Sequence, residues 1–431
     1  MSSALAPLLS PYVGIARSLD EVLAQPSDCG LPSVACELAS DPRVLGVGFE
    51  HVEGVSGVEL DRDRAAAAAL GELAERYSLC YVPWERLVVS RSDELEGAAE
   101  PASFGLFSAE QYARPQFPFR PFTPELEVTW VEGRELPSGS RAWVPAELVF
   151  LADPVAGDGA RIGYATSSGA ACAPTGEQAV LSGLLELCER DAFTILWACR
   201  LSLPLLDWSA HPDLCRIDRR YFARTGLDYA AIDMSAFHGL PSVLGVVRAT
   251  DADPPVLAVG AGTATTIERA WFKALSEAFA CRAAGRMLLA RRRGSGRPDL
   301  GDIHSFDDHV LWWAGQPTAT AARFLDASDD RVDVHVIDPL PSVRSHAIGA
   351  VLERIAAAGS TAYAVDATAP DLRSLGLHVI KTLAPGLAML DVAHGGRFLG
   401  SPRLTHAAAD RGLLPRPLAP DELNSDPHPF P

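Results

Sequence analysis

The strongest constraint on this chain is a short acidic signature that occurs twice in apolar, helix-forming surroundings. One copy is Glu72-Leu-Ala-Glu75-Arg76 within AAAAALGELAERYSL; the other is Glu186-Leu-Cys-Glu189-Arg190 within QAVLSGLLELCERDA. Residues three apart are neighbours on one helix face, so each copy predicts a helix with two carboxylates side by side. In the second copy, Leu181, Leu184, Leu185 and Cys188 define a face that packs into a core. Carboxylates beside such a face are costly to desolvate unless cations or hydrogen-bond donors meet them. A solvated acidic edge explains one such segment, but the recurrence argues against independent surface decoration.

At 431 residues and 48% hydrophobic, the chain is able to bury a sizeable core, as one large domain or two to three ordinary ones. A formal charge of −18 argues against a general nucleic-acid or anionic-membrane binder, because phosphate neutralisation needs a basic surface. A local basic pocket for a nucleotide remains compatible with it. The N-terminus has no charged region followed by an apolar core, and no window approaches a membrane span, so a soluble cytoplasmic protein is expected. The eight cysteines are scattered, with no C-x-x-C pair, which speaks against a zinc ribbon or a redox pair. Cys172 and Cys188 read as core.

Along the chain, residues 1–50 predict an N-terminal arm, with a short helix around Ser18–Leu23 and a strand at RVLGVGFEHV. A long helix follows, with Asp61 or Asp63 suited to its start. TWVEG and WVPAELVFL read as strands after an irregular, proline-rich stretch. The Ser/Gly/Ala turn TSSGAACAP feeds a helix with Thr175 as N-cap and Gln178 at the third position, a capping box. LDYAAIDMS, PSVLGVVRA and PPVLAVGAGTA read as strands before the helix TTIERAWFKALSEAFACRAAGRMLLARRR. The cluster Arg291–Arg293 reads as a helix C-terminus favouring cations. Residues 295–330 read as an excursion. VDVHVIDPL, TAYAVDAT and GLHVIKTL then alternate with a helix at SHAIGAVLERIAAAG, so the fold class is α/β. The domains are thus an arm over 1–50, a catalytic domain over 51–404 and a mobile Pro-rich tail over 405–431 ending PHPFP.

ALGELAERY, TSSGAACAPTGEQAVLSGLLELCERDA, KALSEAFACR, GLHVIKTLAPGL with GSPRL, and the final PHPFP occur in the order of the YcaO family. The chain resembles its azoline-forming branch over most of its length. The resemblance implies a YcaO-like fold with mixed sheets and packed helices around a central nucleotide site. It also implies ATP-dependent cyclisation of Cys, Ser or Thr residues of a ribosomal precursor peptide to thiazolines or oxazolines, with Mg2+ between carboxylates and phosphates. By the same resemblance, Glu72, Glu75, Glu186 and Glu189 hold metal. Arg76, Gln178, Arg190, Lys273, Glu277 and Arg282 meet nucleotide, and Arg190 and the Pro431 carboxylate serve catalysis. A separate E1-like, leader-peptide-binding protein and a homodimer are the implied partners.

Six positions depart from the family pattern. Val58 replaces a lysine, Ala68 a serine, Ser168 an asparagine, Gln178 a glutamate, Lys273 an arginine and Ala280 a glutamine. Lost charges and donors weaken nucleotide binding. Two readings therefore stand: a cyclodehydratase with a divergent ATP site, or a YcaO-like scaffold, peptide-binding partner or modifier that no longer uses ATP.

Overall fold

The computed structural model describes all residues except 1–4, 11, 26, 40–54, 156–158, 250–255, 292–297 and 315–321. The expected strand RVLGVGFEHV and two of the three arginines of the 291–293 cluster lie outside the described residues. The short helix expected around Ser18–Leu23 is instead β1 (Ala16–Glu21), antiparallel to β2 (Ser33–Leu38), which pairs with β3 (Val55–Val58). Six residues are too few to show a helical period, whereas β2 offers a full ladder of partners.

Helix α1 (Arg62–Cys80) starts where Asp61 accepts the Arg64 N–H at 2.9 Å. Its small buried residues, among them Ala65, Ala69 and Ala74, let it lie on β2 and β3. Next come β4 (Leu87–Ser90), α2 (Ala109–Tyr112), β5 (Val128–Glu135) and β6 (Arg141–Pro145). The strand expected over WVPAELVFL ends at Pro145 and turns into a 3-10 helix over Ala146–Leu148. Strand β7 (Ala170–Ala173) leads into α3 (Gly176–Ala198), capped by Thr175, whose Oγ1 accepts the Gln178 N–H at 3.3 Å.

The second half opens with β8 (Leu205–Asp207), α4 (Pro212–Ile217), β9 (Asp228–Asp233), β10 (Ser242–Ala249) and β11 (Val256–Thr263), followed by α5 (Ile267–Arg291) and α6 (Phe306–Trp313). Then come β12 (Arg331–Asp333), α7 (Arg344–Ala357), β13 (Tyr363–Asp366), α8 (Pro370–Ser374), β14 (His378–Leu383) and α9 (Arg403–Asp410). VDVHVIDPL is a strand only over Arg331–Asp333; Val334–Val336 form a 3-10 turn.

One five-stranded sheet has the order β11-β10-β9-β8-β12, with β8 and β12 parallel. A six-stranded sheet has the order β4-β5-β13-β14-β7, with β6 joined to β5. Every residue of β10 and β11 is buried. α5 covers one face of that pair so closely that a Cβ on Gly262 would meet the Ala270 carbonyl at 2.3 Å. α3 packs Phe193, Leu196 and Trp197 on the other side of the same pair and also touches β7 and β14. The acidic helix of the second signature is thus wedged between two sheets, which is what fixes its carboxylates.

Two expectations about the C-terminal half are corrected. α6 belongs to no exposed excursion: His309, Val310, Leu311 and Trp313 are buried, and α6 contacts α5 and β11. The tail is not mobile, and the boundary expected between 404 and 405 falls inside α9. Pro427 to Phe430 are buried, held by Trp313 Nε1 on the Pro427 carbonyl (2.9 Å) and Trp197 Nε1 on the Asp426 carbonyl (3.0 Å).

Candidate active site

Helices α1, α3 and α5 bring the acidic positions together, along with the cations of Arg76, Arg190 and Lys273. Arg76 Nη2 donates to Glu72 Oε1 at 2.6 Å, and Arg190 Nη2 to Glu186 Oε1 at 3.0 Å. In each signature the arginine therefore covers the first carboxylate one turn before it. Glu189 is fully buried: its Oε2 accepts the Thr263 N–H at 2.6 Å, and Lys273 Nζ sits 3.0 Å and 3.3 Å from its two oxygens. It is an internal ion pair already formed, more anchor than open ligand. Lys273 also lies 3.8 Å from Glu277.

The remaining carboxyls are uncomfortable as anions. Burial, with Glu186 and Glu72 adding to it, holds Glu75 well above the usual carboxylate range, against the opposing pull of Arg76 and Lys381. Burial likewise pushes Glu277 up to about 7; Lys273 and Arg190 oppose this while Glu189 and Glu186 add to it. Arg190 is part of the imbalance, since its buried Nε and Nη1 have no hydrogen-bond acceptor, although Nη1 is 3.6 Å from Glu189. Oxygen-only donors with excess negative charge suit a hard divalent cation. A guanidinium with unused donors suits phosphate oxygens. The residues present thus fit Mg2+ and a nucleotide.

Sequence reasoning missed Lys381. Its Nζ donates to the Thr166 and Ser168 carbonyls, both at 2.6 Å, and it is 2% exposed. Burial pulls it down to about 8 despite attraction from Glu186 and Glu75. Those carbonyls belong to the turn whose Gly169 N–H reaches Glu186 at 3.3 Å. Gly169 adopts φ 82° there, and a Cβ would meet the Thr382 carbonyl at 2.6 Å, so only glycine lets the turn close on β14. The signal was an ionisable residue inside the apolar strand HVIKTL. Asp191, one residue past the signature, was also missed. It accepts from His238 (2.8 Å), Arg403 (2.6 and 2.8 Å) and the Ala388 N–H (2.7 Å), tying α3 to α9 and the loop after β14.

The tail ends at the cluster. The Phe430 ring lies 4.1 Å from the Arg190 guanidinium carbon and packs on Phe193, leaving Pro431 exposed. Other expected positions are less central. Gln178 and Ala68 are exposed, while Val58, Ser168 and Ala280 are half-buried. Arg282 is bound to Asp28 and the Ser27 carbonyl of the N-terminal arm, at 3.2 and 3.3 Å, and not to the carboxylates. Its place on the α5 sequence does not reveal which face the arm covers. The cysteines are all free, and burial pushes Cys172 up to about 12, in keeping with core thiols.

Among the described residues, only His309, Asp391 and His428 bring three donor atoms within 4.8 Å of one another. Both His428 nitrogens face backbone partners, Asp391 O at 2.7 Å and Phe430 N at 3.2 Å, and its ring stacks on His309 at 3.9 Å. Parallel rings do not converge their lone pairs, so this group reads as a clasp on the tail.

Residues 56–388 match the family described as YcaO cyclodehydratase, ATP- and Mg2+-binding. Among solved structures, a heterocyclase in complex with substrate and cofactor aligns with a TM-score of 0.79 at 22% identity, covering 98% of this chain and 56% of that one. The heterocyclase TruD aligns at 0.68 and 25% identity, with coverages of 86% and 51%. YcaO from Methanopyrus kandleri bound with AMPPCP and Mg2+ aligns at 0.59 and 21% identity, covering 86% of each chain. This chain spans about half the length of the two heterocyclases. No helix among the described residues is long and apolar enough to cross a membrane.

Proposed function

The chain belongs to the YcaO family, and from that premise we propose that it is an ATP- and Mg2+-dependent cyclodehydratase. Its substrates are Cys, Ser or Thr residues of a ribosomally made precursor peptide, and its products thiazolines or oxazolines. The observation that carries the reading is the carboxylate cluster of α1, α3 and α5, closed by Arg190.

In this reading Glu72, Glu75, Glu186 and Glu277 would hold Mg2+, and Arg190, whose Nε and Nη1 have no hydrogen-bond acceptor, would meet phosphate oxygens. Bound Mg-ATP supplies the phosphoryl group that turns the former amide oxygen into a leaving group. Glu189, already neutralised by Lys273 and the Thr263 N–H, keeps α3 and α5 in register and holds Lys273 where the family places an arginine. Lys381 fixes the 166–168 turn against β14. Phe430 stacks on Arg190 and restricts its rotation. The Pro431 carboxylate, next along the chain, takes the proton of the attacking thiol or hydroxyl. A separate leader-peptide-binding protein delivers the substrate. The observed ion pairs give no support to the reading without ATP, because a pocket that had abandoned nucleotide has no need of crowded carboxylates facing an unsatisfied guanidinium.

The test measures phosphate release and loss of water from the precursor peptide together, with ATP, Mg2+ and the candidate partner protein present. The expected result is one phosphate released per water lost. Phosphate-independent water loss, or no release with any partner, rejects the reading.

A further inference from the structure

A cavity of about 600 Å3 runs beside the cluster and is used by none of the roles above. Its lining includes Arg76, one turn from Glu72, and Thr166, whose carbonyl holds Lys381. It also includes Phe306 and Val392. Phe306 lies 6.2 Å from the His428 ring of the tail, and the Val392 carbonyl faces His309 at 3.0 Å. The cavity therefore borders both the acidic cluster and the clasped tail, and its size falls within the range of about 300–1,000 Å3 usual for ligand sites.

Its walls define what fits. Phe119, Phe150, Tyr164 and Phe306 offer ring surface. Both wall arginines are already neutralised, Arg161 by Asp153 at 2.6 Å and Arg76 by Glu72 at 2.6 Å. Glu147, 7% exposed, accepts the Ile162 N–H at 2.7 Å. Burial pushes it up to about 7, so near neutrality it is only partly ionised. A wall with paired cations and further carboxyls gives polyphosphates and acidic peptides no foothold, since each would have to displace an existing ion pair. Rings beside spent charges favour apolar matter.

Resting on the cyclodehydratase reading, we propose that this cavity is the specificity subsite for an uncharged aromatic or branched apolar side chain flanking the residue to be cyclised. Seating that side chain among the four rings brings the neighbouring peptide bond beside the acidic cluster, which the cavity borders through Arg76.

The test is a titration of the full chain with capped heptapeptides carrying a central Cys flanked by Phe, by Asp or by Lys. The Mg-ATP thermal shift is recorded alongside. Wild type is expected to bind the Phe peptide at least about tenfold more tightly than the other two, as apolar pockets discriminate. Ala393→Trp fills the cavity and abolishes that preference while keeping the Mg-ATP shift, which also reports folding. Asp153→Asn, an exposed change, leaves Arg161 unpaired and strengthens binding of the Asp peptide. Equal binding of the three peptides, or an Ala393→Trp chain that still prefers Phe, overturns the proposal. A peptide preference without any Mg-ATP shift leaves the subsite standing and rejects the nucleotide reading instead.

Discussion

At the scale of single residues, Lys381 and Glu147 show how burial decides charge. Lys381 has given up water for two carbonyls, and it faces Glu75 and Glu186. Lys381→Met leaves the Thr166 and Ser168 carbonyls without their donor, and each buried group left unsatisfied costs about 1–3 kcal/mol. Chemical denaturation of the variant reads the loss; a cost below about 1 kcal/mol would mean the lysine is not what satisfies them. Glu147 gives a pH test remote from the cluster. Its carboxyl is raised from 4.5 to about 7, so the native state holds the proton more tightly than the unfolded chain. Its contribution is fully present below pH 4.5 and falls away as pH rises to about 7. Glu147→Gln removes that dependence, so the variant should gain on wild type between pH 5 and pH 8, by up to about 3 kcal/mol. Parallel melting curves across that range would contradict the assignment. The acidic residues were legible because helical spacing repeats them in two places. Lys381 was not, because its partners are carbonyls more than 200 positions away, and a strand lysine reads by default as exposed. Arg282 failed for the same reason in reverse, since Asp28 lies 254 residues from it.

Among the elements, the tail departs furthest from its sequence. A proline-alternating segment forms no regular backbone hydrogen-bond ladder, so nothing in its sequence indicates whether it is free or seated. Its seat is mainly tertiary: Trp313, Trp197, His309 and Phe193 come from α3 and α6. Phe430→Ala empties a fully buried site and should cost about 3–5 kcal/mol, measurable as a lowered melting temperature. In the same variant Arg190 loses its stacking partner, so peptide cyclisation should fall more than Mg-ATP binding. Adding one residue after Pro431 moves the carboxylate while leaving Phe430 in place. Cyclisation is expected to fall with stability unchanged, and full retention would remove Pro431 from the mechanism. The α/β class, α1, α3, α5 and most strands were legible because their periods are long and clean. The arm was not, because β1 is too short to carry a period and takes its identity from β2.

Over the whole molecule, the site is assembled from helices more than 80 residues apart in sequence, Glu72 on α1, Glu186 on α3 and Lys273 on α5. Binding that joins them must therefore stabilise the global fold, and the crowded carboxyls of Glu75 and Glu277 are the groups whose repulsion a divalent cation relieves. Restoring the two lost polar groups, Gln178→Glu with Ala68→Ser, should tighten nucleotide binding; no gain would mean that these exposed positions of α1 and α3 do not reach it. The central claim is that the cluster holds Mg-ATP, and its most direct measurement is the melting temperature of the full chain with ATP alone, Mg2+ alone and both, for wild type and Glu186→Gln. The predicted result is a stabilisation that needs both components, reaching about 2.7 kcal/mol at a hundredfold excess over the dissociation constant, and largely absent in the variant. No stabilisation of wild type by the pair, or an equal one in Glu186→Gln, would contradict it.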